Sequence, residues 1–172
     1  MPNTAIPRDT VHQHSEECSD MTMGFQTIAT RLLRSQNRLK NFMEQNFTDV
    51  DPMAGQVALY MLSVSMRVFE QVGGRMKKIN SGDIKSAQKK VHSAVDSLLP
   101  LDSDFPTRAK GVEWRAQPNL LDEILWALYE RDDDEKKEEE EAVLDDKQSA
   151  MIYIMLWTAI EALDAKWVPP NE

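Results

Sequence analysis

The stretch Val57-Ala-Leu-Tyr-Met-Leu-Ser-Val-Ser-Met66 is apolar on nearly every side of a helix. A helix without a polar face must be covered all round, by the rest of its own chain or by a partner. Its ends are punctuated. Asp51-Pro52 sets a capping carboxylate before a proline, whose fixed φ suits the first helical position. Gly73-Gly74 stops the helix after Val72. A helix over about residues 52–72 is expected, and the other elements have to pack around it.

The rest of the chain carries the same period. Phe25, Ile28, Leu32, Leu39, Phe42 and Met43 share one face of an expected helix from Cys18 to Gln45. Ile84, Val91, Val95 and Leu98 form a narrow stripe on a helix from Gly82 to Leu99, which is expected at the periphery. Asn119 reads as the cap of a fourth helix with Leu121, Ile124, Leu125 and Leu128 inward. A fifth opens near Asp145 or Asp146 and ends before Val168-Pro169-Pro170, with Met151, Ile154, Met155, Ile160 and Leu163 as its core positions. Between the third and fourth, Phe105, Val112 and Trp114 are expected to pin a proline-rich connection. No segment of useful length alternates with the period of a strand. The reading is an all-α fold: a single-domain bundle of about five helices over residues 17–168, a polar, flexible tail over 1–16 and a short tail over 169–172.

Charge is unevenly placed. The chain of 172 residues has a net charge of −9. Residues 1–118 carry 15 Lys/Arg against 13 Asp/Glu, and residues 119–172 carry 5 against 16. Much of that excess lies in Glu130–Asp146, whose first twelve residues are nine acidic and three basic. Residues 130–141 offer no apolar side chain to bury, so the run reads as a solvated spacer or an exposed helix extension. Asp132/Lys136 and Asp133/Lys137 would give such a helix i, i+4 pairs.

A second reading of the acidic run is chemical. Glu138/Glu141 and Glu161/Asp164 each have the i, i+3 spacing of carboxylates that converge on a divalent ion, and Mg²⁺ prefers oxygen ligands. The pattern resembles the one with which the all-α nucleotide pyrophosphohydrolases hold Mg²⁺. The resemblance implies a metal-activated water attacking a phosphoryl group. Glu135/Glu138 fits the first half equally well, and neither pair sits on a visibly apolar face. The solvated reading is therefore taken, with no cofactor, and Mg²⁺ belongs to the alternative alone.

Other candidate chemistry is sparse. His12, His14 and Cys18 are zinc-type donors, yet no second Cys/His pair follows them to complete four ligands. Cys18, the one cysteine, makes a disulfide within one chain impossible. The run Ala150–Ile160 is too short to span a bilayer, and no amino-terminal leader is evident. A cytoplasmic, membrane-free protein is expected. Arg75, Lys77, Lys78, Lys85, Lys89 and Lys90 form the densest basic stretch. With Arg31, Arg34 and Arg38 they make a candidate surface for an anionic partner. Interleaved aromatics that would stack nucleobases are missing there, so a nucleic-acid-binding subunit of a ribonucleoprotein complex is only an alternative. The preferred expectation is a non-catalytic, helical protein-interaction subunit whose partner is another protein or a second copy of itself.

Overall fold

The computed structural model describes residues 2–49, 51–130 and 144–170. They form a mainly helical molecule: α1 (Arg8–Asp20), α2 (Phe25–Ser35), α3 (Asn37–Gln45), α4 (Pro52–Val72), α5 (Ser81–Leu98), α6 (Phe105–Lys110), α7 (Pro118–Leu125) and α8 (Asp146–Lys166). Two short strands, β1 (Arg75–Met76) and β2 (Trp167–Val168), pair antiparallel, Arg75 opposite Val168 and Met76 opposite Trp167.

The central helix is α8. From Ser149 to Asp164 every residue is buried except Met151 and Ile154, which are half-buried. Helices α4 and α5 pack against it, α1 packs on α4 and α7, and α2 packs on α4. The all-round apolar helix of the sequence, α4, buries Ala54, Ala58, Leu62, Met66, Val68 and Phe69 but turns Met53 and Tyr60 outward. No described helix is long and apolar enough to cross a membrane.

Where a cap is written locally, the structure follows the sequence. Asp51 Oδ1 accepts from the Met53 amide at 2.8 Å, with Pro52 at the first helical position. The Asn80 side chain accepts from the Asp83 amide at 2.9 Å while the Asp83 carboxylate accepts from the Asn80 amide at 2.8 Å. These reciprocal bonds satisfy two orphan donors of α5, and Asp145 and Gln148 do the same for α8. Helix α4 ends at Gly73 and Gly74, with φ of 104° and 80°. A Cβ at Gly74 would lie 2.2 Å from the Val168 carbonyl oxygen, so only glycine lets β2 lie this close.

Four expectations are corrected. The described residues hold eight α-helices rather than about five. The expected tail over residues 1–16 is helical from Arg8, and Ile6 and Val11 are buried in the core. Polar bonds hold its start in place: the Ile6 amide donates to Gln117 Oε1 at 2.9 Å, and Asn119 Nδ2 donates to the Ile6 carbonyl at 2.8 Å. Asn119 is thus occupied elsewhere, and α7 is preceded by Gln117 at φ 50°. The expected helix from Cys18 to Gln45 is broken twice. Thr22, at φ 49°, opens a 3₁₀ turn, and Gln36 leaves helical geometry between α2 and α3. Gln36 is drawn inward by β1's continuation: its Oε1 accepts from the Ile79 amide at 3.0 Å and its Nε2 donates to the Lys77 carbonyl at 3.1 Å. The greater part of the acidic run, residues 131–143, lies outside the described residues.

Candidate protein-interaction surface

The carboxylates singled out for metal divide between two situations. Glu138 and Glu141 lie outside the described residues. Glu161 and Asp164 lie on α8, 6% and 3% exposed, and each is occupied by protein donors. Glu161 Oε2 accepts from the Ala116 amide at 2.7 Å and from Trp157 Nε1 at 3.1 Å, while Oε1 faces Lys90 Nζ at 3.3 Å. Asp164 Oδ2 accepts from the Asn3 amide at 3.0 Å, and Oδ1 accepts from Gln117 Nε2 at 2.9 Å. Here the i, i+3 spacing serves assembly: one carboxylate fixes the loop before α7, and the other fixes both that loop and the amino-terminal residues. Among the described residues no three His, Cys, Asp or Glu side chains are grouped to hold a metal ion.

His12, His14 and Cys18 are not brought together: the two histidines have separate partners and Cys18 is buried. His14 Nδ1 lies 3.3 Å from Glu17 Oε2. Cys18 is buried, and burial pushes its thiol up to about 11, which keeps it protonated at neutral pH. His12 reaches α7: its Nδ1 is 2.6 Å from Glu123 Oε1, and Arg8 Nε donates to Glu123 Oε2 at 3.0 Å. Glu123 is buried, and Arg8 and His12 of α1 each face one of its oxygens. The bond to Glu123 raises the His12 pKa above its usual 6.5, aided by the charge of Glu16 and opposed by burial and by Arg8. A raised folded-state value means that this contact stabilises fully below pH 6.5 and is lost as pH rises through the raised pKa. An NMR titration of the imidazole is expected to show a midpoint above 6.5 that falls toward it in Glu123→Gln. An unchanged midpoint in that variant would show that the pair carries no charge coupling.

The basic residues converge more closely than their positions in the chain suggest. Arg31 and Lys78 line one cleft of about 350 Å³, floored by Leu32, Met66, Phe69, Leu163 and Trp167. Arg38 and Lys85 line a second of about 340 Å³, with Asn41, Gln45, Ser81 and Gln88. Arg34 lies beside Arg31 on α2, along a shallow groove that includes Met23 and Gln26. The break at Gln36 permits this arrangement, because it ties the α2–α3 junction to residues 77–79, which lead into α5. Arg38 Nη1 donates to Ser81 Oγ at 2.8 Å and closes the same junction from outside.

The remaining members behave differently. Arg31 is held by Glu70 through two bonds of 2.9 and 2.8 Å, and Arg67 bonds the same carboxylate at 2.5 Å. Arg31 foremost, with Arg67, holds the Glu70 carboxyl below its ordinary range. Lys90, itself exposed, pairs with Glu161 and lies 5.3 Å over the Trp114 ring. Arg75, Lys77, Lys78, Lys85 and Lys89 are exposed.

Sequence reasoning missed Gln36 and Glu70 as members of this surface. Gln36 sits at a position where the apolar period gives no reason for a break. Glu70 reads as one charge on the polar edge of α4, and only the tertiary packing sets it opposite Arg31. Comparison with protein-family models, with curated proteins and with solved structures finds no match.

Proposed function

We propose that this chain is a non-catalytic helical interaction subunit, and that it docks an acidic protein segment along the face formed by α2, α3 and α5. The observation that carries this reading is the placing of Arg34, Arg38, Lys78 and Lys85, from separate parts of the chain, along three surface recesses, one of them with an apolar floor. A cationic rim around an apolar recess suits a peptide that brings carboxylates with some hydrocarbon between them. The fork of Arg31 is already closed on a carboxylate from Glu70, the chemistry that such a partner would supply.

The test is fluorescence anisotropy with a labelled, Asp/Glu-rich peptide, set against a single-stranded oligonucleotide of equal charge. Saturable peptide binding is expected. It should weaken as salt rises, because the charges on both sides are exposed and screened. Arg34→Glu with Lys85→Glu should weaken it by about tenfold or more. No saturable peptide binding at low salt would overturn the reading, and tighter binding of the oligonucleotide would transfer the surface to nucleic acid.

A further inference from the structure

We infer that the occupant of this face is the acidic run of a second copy of the same chain, docked reciprocally. This rests on the reading of the face as a site for an acidic segment and names the partner. Residues 131–141 comprise eight acidic and three basic residues, Arg131, Lys136 and Lys137. The two flanks of this run meet at one end of the molecule: Tyr129 Oη donates to the Asp146 carbonyl at 3.3 Å, and Asp146 opens α8. The apolar-floored cleft lies at the other end of α8, beside Leu163 and Trp167, and the cleft of Arg38 and Lys85 borders the start of α5 at Ser81 and Ile84. Helix α5 runs back along α8 from there, with Asp83 Oδ2 3.4 Å from Lys166 Nζ and Lys90 Nζ 3.3 Å from Glu161 Oε1.

Chain geometry then selects the second copy. The 21 residues of α8 set the two regions apart by about 25–30 Å at a rise of 1.5 Å per residue. The sixteen residues between Tyr129 and Asp146 are tethered at both ends. Doubled back and fully extended, they reach at most about 27 Å, and only at their midpoint. That midpoint is Lys137-Glu138, next to Lys136. Within one molecule only residues about 136–139 would approach the basic face, and there two lysines offset two glutamates. A second copy laid antiparallel removes both obstacles. Each acidic run then faces the partner's clefts, and a two-fold axis makes both contacts at once.

The experiment is a charge exchange read by light scattering after size-exclusion chromatography of the full chain. Wild type is expected to be a dimer at low salt that dissociates as salt rises. One variant reverses the run, with Glu138, Glu139, Glu140 and Glu141 each changed to Lys. The other reverses the face, with Arg34→Glu, Lys78→Glu and Lys85→Glu. Each variant alone sets like charge against like charge twice, and its dissociation constant should rise by about tenfold or more. An equimolar mixture restores two complementary contacts and should dimerise again. All the substituted face residues are exposed, and circular dichroism of each variant verifies its fold. Dimerisation of either variant as tightly as wild type, or a mixture that stays monomeric, would overturn the inference. A wild type that stays monomeric while the face still binds the acidic peptide would overturn the inference alone. Loss of both would remove the proposed function as well.

Discussion

Replacing Asp164 by alanine is expected to destabilise the fold by about 3–5 kcal/mol. The carboxylate is almost fully buried, and its oxygens accept from the Asn3 amide, from Asn3 Nδ2 at 3.3 Å and from Gln117 Nε2. Removing the acceptor leaves donors behind without solvent to replace it. Each such group costs about 1–3 kcal/mol, with the upper part of that range for partners of a charge. Gln117 is the worst placed, since it is fully buried and its other bonds hold Thr4 and Ile6. Asn3 is half-buried, and its Nδ2 keeps the carbonyls of Asp164 and Trp167 at 2.9 and 3.0 Å. Asn3→Ala is therefore expected to cost only about 1–2 kcal/mol. Thermal melts followed by circular dichroism check the order. For a chain of this size Asp164→Ala should lower Tm by about 10 °C. Hydrogen exchange should show the Asn3 and Ile6 amides losing protection first. A melt within a degree of wild type would mean that this junction holds nothing.

That junction also explains which parts of the fold were legible beforehand. Helix α4 was legible from Asp51-Pro52 and Gly73-Gly74, and α8 from its opening near Asp145 or Asp146; α5 was legible from its apolar stripe, while the reciprocal bonds of Asn80 and Asp83 at its start went unread. Helix α1 was not. Its buried residues are only Val11 and Cys18, and the preceding Ile6 stands among polar neighbours. What orders this segment is a set of partners more than a hundred positions away, Gln117, Asn119, Glu123 and Asp164. No local period announces them. The breaks at Thr22 and Gln36 were hidden for a related reason. Phe25 through Met43 keep a plausible helical face across Gln36, and the competing bonds to residues 77–79 exist only once α5 has packed. The candidate face was legible in part. Arg31, Arg34 and Arg38 repeat along one flank, and Lys85 follows in a basic stretch. Lys90 belongs to that stretch too, yet Glu161 and the Trp114 ring turn it to structural use.

Trp157→Ala should have an effect of the same order, about 3–5 kcal/mol, for a different reason. The indole is fully buried at the middle of α8, with its ring 5.3 Å from Trp114 and 5.8 Å from Tyr153. Tyr153 continues the stack to Phe105 at 5.8 Å and accepts from Arg115 Nη1 at 3.1 Å. Deleting the ring opens a cavity beside Tyr153 and Trp114, and it deprives Glu161 of one donor. Trp157→Phe separates the two losses, because it fills most of the space but supplies no N–H. Its cost should be about 1–2 kcal/mol, near that of one hydrogen bond to a charged group. Urea midpoints at unchanged slope measure both. Glu161 ties this cluster to the first junction: the oxygen that accepts from Trp157 also accepts from the Ala116 amide, and Gln117, the next residue, reaches Asp164. Trp157→Phe and Asp164→Asn should therefore be non-additive, with a coupling of about 0.5 kcal/mol or more, since each loosens the loop that the other depends on. Strict additivity would make them two independent anchors on one helix.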